Sequence, residues 1–203
     1  MTQEPRRPDI ARDLLESATA SREARRQLAR GVLSATAQQW GIHQERADSG
    51  MLKRLLSKHG WPGRSLVGEE AAEAALHLAL HADHDPGLQR LCLRMLTEAV
   101  QRGDAPIRHW AHLHDRCAVG AGHQQEYGTQ HRLDAHGRVV RMPVSEPAHL
   151  DARRASVGLP PAAVAYDALR RRYASAPDGA SDENGPPDSA KPLFPGQLVG
   201  SAA

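Results

Sequence analysis

The apolar positions in the first third of the chain recur at spacings of three and four, which is typical of amphipathic helices. One such pattern runs from Pro8 to about Gln39, and its polar stretch Ser17–Arg26 is either a break or an exposed face. The pair Trp40-Gly41 is predicted to end it. A second helical segment follows Asp48 and is expected to end at His59-Gly60, because a histidine in the last turn and a glycine just beyond it favour a helix C-terminus.

The middle of the chain contains three more helical patterns. They are predicted for Glu69 to Ala82, Leu88 to Arg102 and Ile107 to Cys117. The segment Asp83–Gly87 contains a proline and a glycine and separates the first two. Short connections between successive helices are typical of an antiparallel bundle.

The character of the chain changes after residue 120. Residues 120–128 are rich in glycine and polar side chains, which indicates a loop. Two short extended patterns, Thr129–Leu133 and Arg138–Val144, then predict a small hairpin. Two short helices are expected to follow, over residues 146–157 and 162–173.

The C-terminal residues differ in composition from all that precedes them. Residues 175–203 contain few large apolar side chains, so burial cannot offset their ordering entropy, and we predict a disordered tail. The predicted fold class is mainly α, an antiparallel helical bundle with a small β-hairpin and this tail. Residues 1–174 are expected to form a single mainly helical domain.

Composition and charge exclude several classes of protein. The chain has 203 residues, of which 40% are hydrophobic and 25% charged, an ordinary globular balance. Its 26 basic and 24 acidic residues give a net charge of +2, which argues against a nucleic-acid partner. The apolar runs are too short to span a membrane or to form a signal peptide, so no membrane partner is expected. Two cysteines cannot form a disulfide framework, which favours a reducing, cytoplasmic compartment.

A first group of histidines has a spacing known from metal sites. His77, His81 and His84 lie at i, i+4 and i+7, and on one helix they would share a face. Such a set can chelate a divalent metal such as zinc, iron or nickel, with Asp83 or Asp85 as a further ligand or orienting group. Alternatively, the three rings face a polar groove or solvent.

A second polar cluster follows in the next helix. It contains His109, His112, His114, Asp115 and Arg116. The functional interpretation is a carboxylate whose pKa is set by the neighbouring arginine and which acts as a base or orients a ligand. The alternative is an Asp–Arg pair that ends the helix and holds the following loop.

The segment Gln124–Gln130 concentrates amides, a phenol and a hydroxyl around one glycine. Such groups fix a polar ligand by directional hydrogen bonds, or they satisfy the backbone of their own loop. Further along, Arg153-Arg154 can hold a carboxylate or phosphate, or can lie exposed on a helix. The chain lacks the glycine-rich phosphate loops and the serine elbow of common enzyme classes.

In order and spacing, several motifs together resemble a bacterial domain family of unknown function. They are Asp48, His59-Gly60-Trp61-Pro62, Ser65–Gly68, His81–Pro86 with Gln89, Asp115-Arg116, Gln125 with Tyr127–Gln130, Arg153-Arg154 and Val157–Leu159. The resemblance covers roughly residues 48–166. The chain departs from the family pattern at Leu80, where the family usually has glutamine, and at Met51, where it commonly has asparagine. The resemblance implies no activity, but from the polar nature of the matched residues we infer one pocket between the bundle and the glycine-rich loop.

Three functions remain open at this point. The first is an enzyme acting on a small polar or anionic substrate, in which His81 is a base or metal ligand, Asp83 or Asp115 orients it, and Tyr127 donates a proton or hydrogen bond. The substrate-binding residues would be Arg116, Gln125, Thr129, Gln130 and Arg154. The only cofactor indicated is a divalent metal on His77, His81 and His84.

The second possible function is that of a non-catalytic module that binds a small polar molecule, a peptide or a protein. In the third, the motifs are only helix caps and turn locks. The oligomeric state is left open.

Overall fold

The protein is mainly helical, as predicted. The structure, a computed structural model, describes residues 4–29, 35–134, 138–174 and 198–200. Within these ranges no helix is long and apolar enough to cross a membrane. The helices are α1 (Pro8–Ala29), α2 (Ala35–His59), α3 (Arg64–Val67), α4 (Glu69–Leu80), α5 (Pro86–Gln101), α6 (Ile107–Gly120), α7 (Leu150–Ser156) and α8 (Ala162–Ala174).

Helix α4 lies at the centre of the bundle and contacts α1, α2, α3, α5 and α6. Its buried face consists largely of methyl side chains, those of Ala71, Ala72, Ala74, Ala75 and Ala79. Such small side chains let neighbouring helix axes approach closely. Larger side chains from the surrounding helices, including Leu14, Leu52 and Leu96, are fully buried in the same core. The alanine-rich pattern therefore identifies the helix that is surrounded on most sides.

The boundaries of the first two helices differ from the prediction. The expected end at Trp40-Gly41 is wrong, because α2 passes through Gly41 without a break. A glycine inside a helix costs only about 1 kcal/mol relative to alanine. Packing of Leu52 and Leu56 in the main core outweighs that cost. The predicted end at His59-Gly60 is confirmed, with Gly60 in the left-handed region at φ +71°.

The connection between α4 and α5 lies two residues earlier than the apolar pattern predicts. Helix α4 ends at Leu80 and α5 begins at Pro86. The carboxylate of Asp85 accepts the backbone N–H of Leu88 at 2.9 Å and caps α5, and Pro86 occupies the first turn. His81 therefore follows the last residue of α4, and His84 lies off the helix.

The predicted hairpin is present and a further strand extends it. Strands β1 (Gln130–Leu133) and β2 (Val139–Arg141) pair antiparallel, with His131 opposite Arg141. On the other side of β1 lies β3 (Leu198–Gly200), also antiparallel, so the strand order is β2-β1-β3. These three residues belong to the segment expected to be disordered. The rest of that predicted tail lies outside the described residues.

Helix α8 packs on the sheet and forms a small core of its own. Leu169 and Val139 are buried against each other, and the hydroxyl of Tyr166 donates to the carbonyl of Val139 at 2.8 Å. The imidazole of His131 stacks on the Tyr166 ring with 5.6 Å between centroids. His131 is only 1% exposed. The second half of the chain thus carries a buried histidine between a strand and the last long helix.

Substitution of Gly41 tests the continuous α2. Gly41→Ala should raise the free energy of unfolding by about 0.5–1 kcal/mol, since alanine loses less backbone freedom in a helix. The added Cβ would meet no atom within 4 Å. Urea unfolding followed by circular dichroism measures the change. The matched control Gly60→Ala has equal space, but its positive φ should make it destabilising by roughly 1 kcal/mol. A destabilised Gly41→Ala protein would show that the helix does not pass through this position.

Candidate functional site

The carboxylate of Asp115 holds the loop after α6. Asp115 lies on the buried face of α6 and is 0% exposed. Its Oδ1 accepts the backbone N–H groups of Glu126 at 2.8 Å and Tyr127 at 3.1 Å. Its Oδ2 accepts the N–H of Thr129 at 3.0 Å and the hydroxyl of the same residue at 2.9 Å. Gly128, at φ +62°, lets the chain turn so that these donors point at one anion.

These contacts keep Asp115 ionised. Burial alone would raise the pKa of this carboxyl, but the neighbouring His114 and the amide donors of the loop outweigh burial and lower the pKa. The hydrogen bonds and the ion-pair contact of Asp115 are with the loop and with His114, rather than with His81, which it was expected to orient. In the alternative interpretation an Asp115–Arg116 pair holds the following loop; here Asp115 holds the loop, whereas Arg116 pairs with Asp83.

Two glutamines connect the same loop to the sheet. The side-chain oxygen of Gln125 accepts the N–H of Gln130 at 2.8 Å, and its amide donates to the carbonyls of Gln130 at 2.9 Å and Met142 at 3.0 Å. The amide of Gln130 donates in turn to Thr129 Oγ1 at 3.0 Å and to the carbonyl of His112 at 3.3 Å. Gln125 and Gln130 are at most 1% exposed. Their hydrogen-bonding groups are thus directed at the protein itself.

Arg116 links this network to the α4–α5 connection. Its guanidinium donates through Nε to Asp83 Oδ1 at 2.9 Å and through Nη2 to Asp83 Oδ2, which makes a two-point ion pair. Its Nη1 donates to Gln130 Oε1 at 3.2 Å. Gln89 also donates to Asp83 Oδ1 at 3.1 Å, and to the last carbonyls of α4, those of Ala79 and Leu80. The predicted pairing of Asp83 with His81 is therefore replaced by a pairing with Arg116.

Arg154 of α7 closes the network from the other side. Its Nε donates to the carbonyl of Pro160 at 2.6 Å and its Nη1 to the carbonyl of Tyr127 at 2.5 Å. The residue is 1% exposed. Arg153, next to it, is half-buried and donates to the carbonyl of Glu126 at 2.9 Å. Arg154 thus contacts backbone carbonyls in the positions where a bound anion was expected.

The structure brings most of the predicted site residues together, but they bond to one another. One continuous network, called here the loop network, contains seven of them. They are Asp83, Asp115, Arg116, Gln125, Thr129, Gln130 and Arg154. The ring of Tyr127 lies outside this network, and His81 lies apart from it at the end of α4.

A separate histidine cluster lies where α4 ends, and we define it by His77, His81 and Arg25. The two imidazole centroids are 4.6 Å apart in an edge-to-face arrangement. Arg25 of α1 donates to Glu45 Oε1 at 2.7 Å and lies 3.5 Å from the carbonyl of His81. Three nitrogens of the cluster are buried and have no hydrogen-bond partner: His77 Nε2, His81 Nδ1 and Arg25 Nε.

Charge and burial act in the same direction on these histidines. Burial lowers the pKa of His77 to about 3, with Arg22, Arg25 and Arg172 adding to the effect. The pKa of His81 is lowered well below its usual value, again by burial first and then by nearby cations. Both rings are therefore neutral at neutral pH. Arg25 belongs to the polar stretch Ser17–Arg26, which was predicted to be a break or an exposed face. No sequence signal marks Arg25 as part of a site.

The predicted three-histidine metal site does not form. His84 lies beyond the end of α4, and its Nε2 lies 3.2 Å from the hydroxyl of Ser49 on α2. The pairing of His77 with His81 remains. Among the described residues, no three His, Cys, Asp or Glu side chains are grouped so that they could hold a metal ion. The spacing of the three histidines assumed a helix that continues to His84, and the cap at Asp85 prevents this.

Sequence reasoning missed the surface formed by Trp110, His114 and Tyr127, called here the aromatic surface. The rings of Trp110 and His114 stack with 4.8 Å between centroids, and Tyr127 meets each of them edge-on at 6.0 Å. His114 Nδ1 lies 3.7 Å from Asp115 Oδ1. The signal available in the sequence was the i, i+4 spacing of Trp110 and His114 beside an aspartate. That spacing could not show that a loop residue joins them.

These observations define a mainly helical protein with a small antiparallel sheet. Its polar motif residues form a largely buried network that joins α6 and the following loop to the α4–α5 connection and to α7. The chain belongs to a family of unknown function, DUF6624, whose model matches residues 8–174. No curated protein and no solved structure matches it. The expected membership of a family of unknown function is confirmed, and the match extends to α1 and to the end of α8, beyond the range expected from the motifs.

Removal of the Asp115 charge should be strongly destabilising. Asp115→Asn replaces one acceptor oxygen by an NH₂ group that faces backbone donors. Each buried donor left unsatisfied costs about 1–3 kcal/mol, so we expect a loss of roughly 3–5 kcal/mol in urea unfolding. The control Glu126→Gln alters an exposed side chain and keeps its backbone N–H, and should be neutral. A loss below about 1 kcal/mol for Asp115→Asn would show that the carboxylate is not the anchor of the loop.

Buried neutral histidines should make stability depend on pH. Burial lowers the pKa of His109, His112 and His131 to about 4 in each case. The unfolded chain takes up protons near pH 6.5 and the folded protein does not, so unfolding is favoured as pH falls from about 6.5 to 4. Urea unfolding across this range measures the slope. His131→Phe keeps the ring stack and should reduce the slope by up to about 1.4 kcal/mol per pH unit.

The control for this experiment is His149→Gln. His149 is exposed, and its replacement should leave the slope as it is. If His131→Phe also leaves it unchanged, His131 does not resist protonation in the folded protein.

Proposed function

We propose that this protein binds a small anionic molecule at the histidine cluster of His77, His81 and Arg25. The observation that carries the proposal is the group of three buried nitrogens without a partner. Buried polar atoms are nearly always hydrogen-bonded, and each one left unpaired costs about 1–3 kcal/mol. A ligand that supplies acceptors and donors to these nitrogens would remove that cost.

The charges around the cluster favour an anion. Arg25 and Arg116, and beyond them Arg22, act on the His81 ring. The acidic neighbour within hydrogen-bond distance is Glu45, which pairs with Arg25. Burial raises the pKa of Glu45, so its negative charge is held there at a cost. A carboxylate or phosphate group would compete with Glu45 for Arg25 and accept hydrogen bonds from the imidazoles.

Binding is favoured over acid–base catalysis at His81. A general base needs a pKa near the working pH, whereas the pKa of His81 is lowered well below its usual value. The carboxylates expected to orient it, Asp83 and Asp115, are bound by Arg116 and by the loop. These contacts support the alternative of a non-catalytic ligand-binding module over an enzyme that uses His81, Asp83 and Asp115.

The proposal includes the partner and compartment expected from the sequence. The ligand is a small polar molecule or the acidic group of a peptide rather than nucleic acid, because the chain has no large basic excess. We further propose a bacterial, cytoplasmic protein. The cysteines Cys92 and Cys117 are both unpaired, as in a reducing compartment.

Thermal unfolding with inorganic phosphate tests the proposal. The full chain should gain stability in phosphate relative to chloride of equal ionic strength, by about 2.7 kcal/mol at a hundred times the Kd. His81→Leu removes an unpaired buried nitrogen, so we expect it to raise the Tm without ligand and to abolish the gain from phosphate. This combination separates a binding residue from a structural one, which would lose stability on substitution.

The matched control is His123→Leu, an exposed histidine on the loop after α6. It should keep the full gain from phosphate. The same titration with acetate shows whether a carboxylate serves as well. If neither anion stabilises the wild-type protein beyond chloride, the proposal is wrong.

A further inference from the structure

We propose that the aromatic surface of Trp110, His114 and Tyr127 is a second, catalytic site. There His114 acts as a general base and acid in the hydrolysis of esters that carry a planar group. This site is independent of the anion site proposed above, because its residues lie on α6 and the following loop rather than at the end of α4. The proposal rests on geometry around His114.

The first element of the geometry is the buried carboxylate behind the imidazole. His114 Nδ1 lies 3.7 Å from Asp115 Oδ1, so the ring places its N–H end towards an anion. At this distance the contact is an ion-pair contact, and Nδ1 has no hydrogen-bond partner among the described residues. Contacts between catalytic groups are often long in a site without substrate. The donors of Glu126, Tyr127 and Thr129 hold that anion ionised and in place. Asp115 is thus a positioning residue for His114, and the loop in turn positions Asp115.

The second element is the orientation of the ring. Trp110 stacks on one face of His114 and is itself fixed by its indole N–H, which donates to Thr97 Oγ1 at 2.9 Å. His114 Nδ1 is buried, while 27% of the side chain is exposed. Nε2 is not among the buried nitrogens without a partner, and we therefore assign the exposed surface to the edge that carries it. In the tautomer with its proton on Nδ1, beside Asp115, Nε2 has a lone pair for a substrate.

The surrounding charges suit a group that both takes up and releases a proton. Contact with Asp115 raises the pKa of His114, Glu126 adds to this, and burial opposes it. Arg153 is the cation on this side, and its Nε donates to the carbonyl of Glu126. Burial raises the pKa of Tyr127, so its phenol stays protonated and can donate a hydrogen bond to a carbonyl oxygen.

The reaction that fits these groups consumes only water. His114 Nε2 takes a proton from a water molecule, and the water oxygen bonds to the carbonyl carbon of the ester. The bond from that carbon to the leaving oxygen then breaks, and the imidazolium returns its proton to the leaving oxygen. Tyr127 donates to the carbonyl oxygen as it gains charge. The partly exposed rings of Trp110 and Tyr127 are inclined at 75° to each other and form an apolar corner, in which a planar acyl or leaving group packs.

Hydrolysis of p-nitrophenyl acetate by the full chain between pH 5 and 9 tests this proposal. General acid–base catalysis contributes about 10²–10⁴-fold, so His114→Gln should reduce the second-order rate constant at least tenfold. The control His123→Gln, in an exposed histidine, should retain the wild-type rate. Near-ultraviolet circular dichroism of the tryptophans verifies that each variant is folded.

Two results would overturn the proposal. One is an equal rate in His114→Gln and the wild-type protein. The other is a wild-type rate no higher than that of the same chain unfolded in urea, which carries the same histidines without their arrangement.

The pH–rate profile tests whether Asp115 positions His114. In Asp115→Asn the midpoint of the pH–rate profile should move to lower pH, because the imidazolium loses its anionic neighbour. A merely structural role would change the amplitude and leave the midpoint. If this variant does not fold, the titration of His114 in the folded wild-type protein, followed by nuclear magnetic resonance, replaces it. A pKa above that of the urea-unfolded chain is the expected result, and one below it would contradict the proposal.

Discussion

One buried carboxylate organises the second half of this protein. Asp115 is removed from water, which is tolerable only because the loop after α6 surrounds it with hydrogen-bond donors. The dependence is mutual, since the backbone N–H groups of that turn would otherwise be buried without acceptors. Helix α6 and the loop therefore require each other. The glutamines 125 and 130 extend the same arrangement to the sheet, and Arg116 extends it to the end of α4.

The polar residues that stabilise the fold differ from those that we propose to bind a ligand or to react. The loop network satisfies most of its hydrogen bonds internally, and Arg154 Nη2 is its buried nitrogen without a partner among the described residues. Two groups of side chains outside the network also have unused hydrogen-bonding capacity. In the histidine cluster, buried nitrogens lack partners, and on the aromatic surface His114 is held against Asp115 with its other edge towards solvent. The Asp115 carboxylate thus stabilises the loop after α6 and, in our proposal, also orients the imidazole of His114.

Much of the fold could be predicted because helix periodicity and breaker residues are local signals. The central helix, the hairpin and the end at His59-Gly60 all follow from residues close in sequence. The prediction at Trp40-Gly41 was wrong because core packing overrides the modest cost of a glycine in a helix. The described part of the chain does not group His77, His81 and His84 as a metal site, because that grouping requires a regular helix past the point where Asp85 caps the next one.

The sequence by itself determined the mainly helical class, the family and seven of the polar residues that come together. These follow from hydrophobic spacing and motif order, which are properties of neighbouring residues. Only the tertiary structure decided what each polar residue does. Asp83 could have served His81 or Arg116, and the choice depends on how α4, α5 and α6 pack. The partners of a side chain across the fold are set by distances that no local pattern contains. For that reason Arg25 became a candidate only in three dimensions, and the contact of Tyr127 with His114 was found only there.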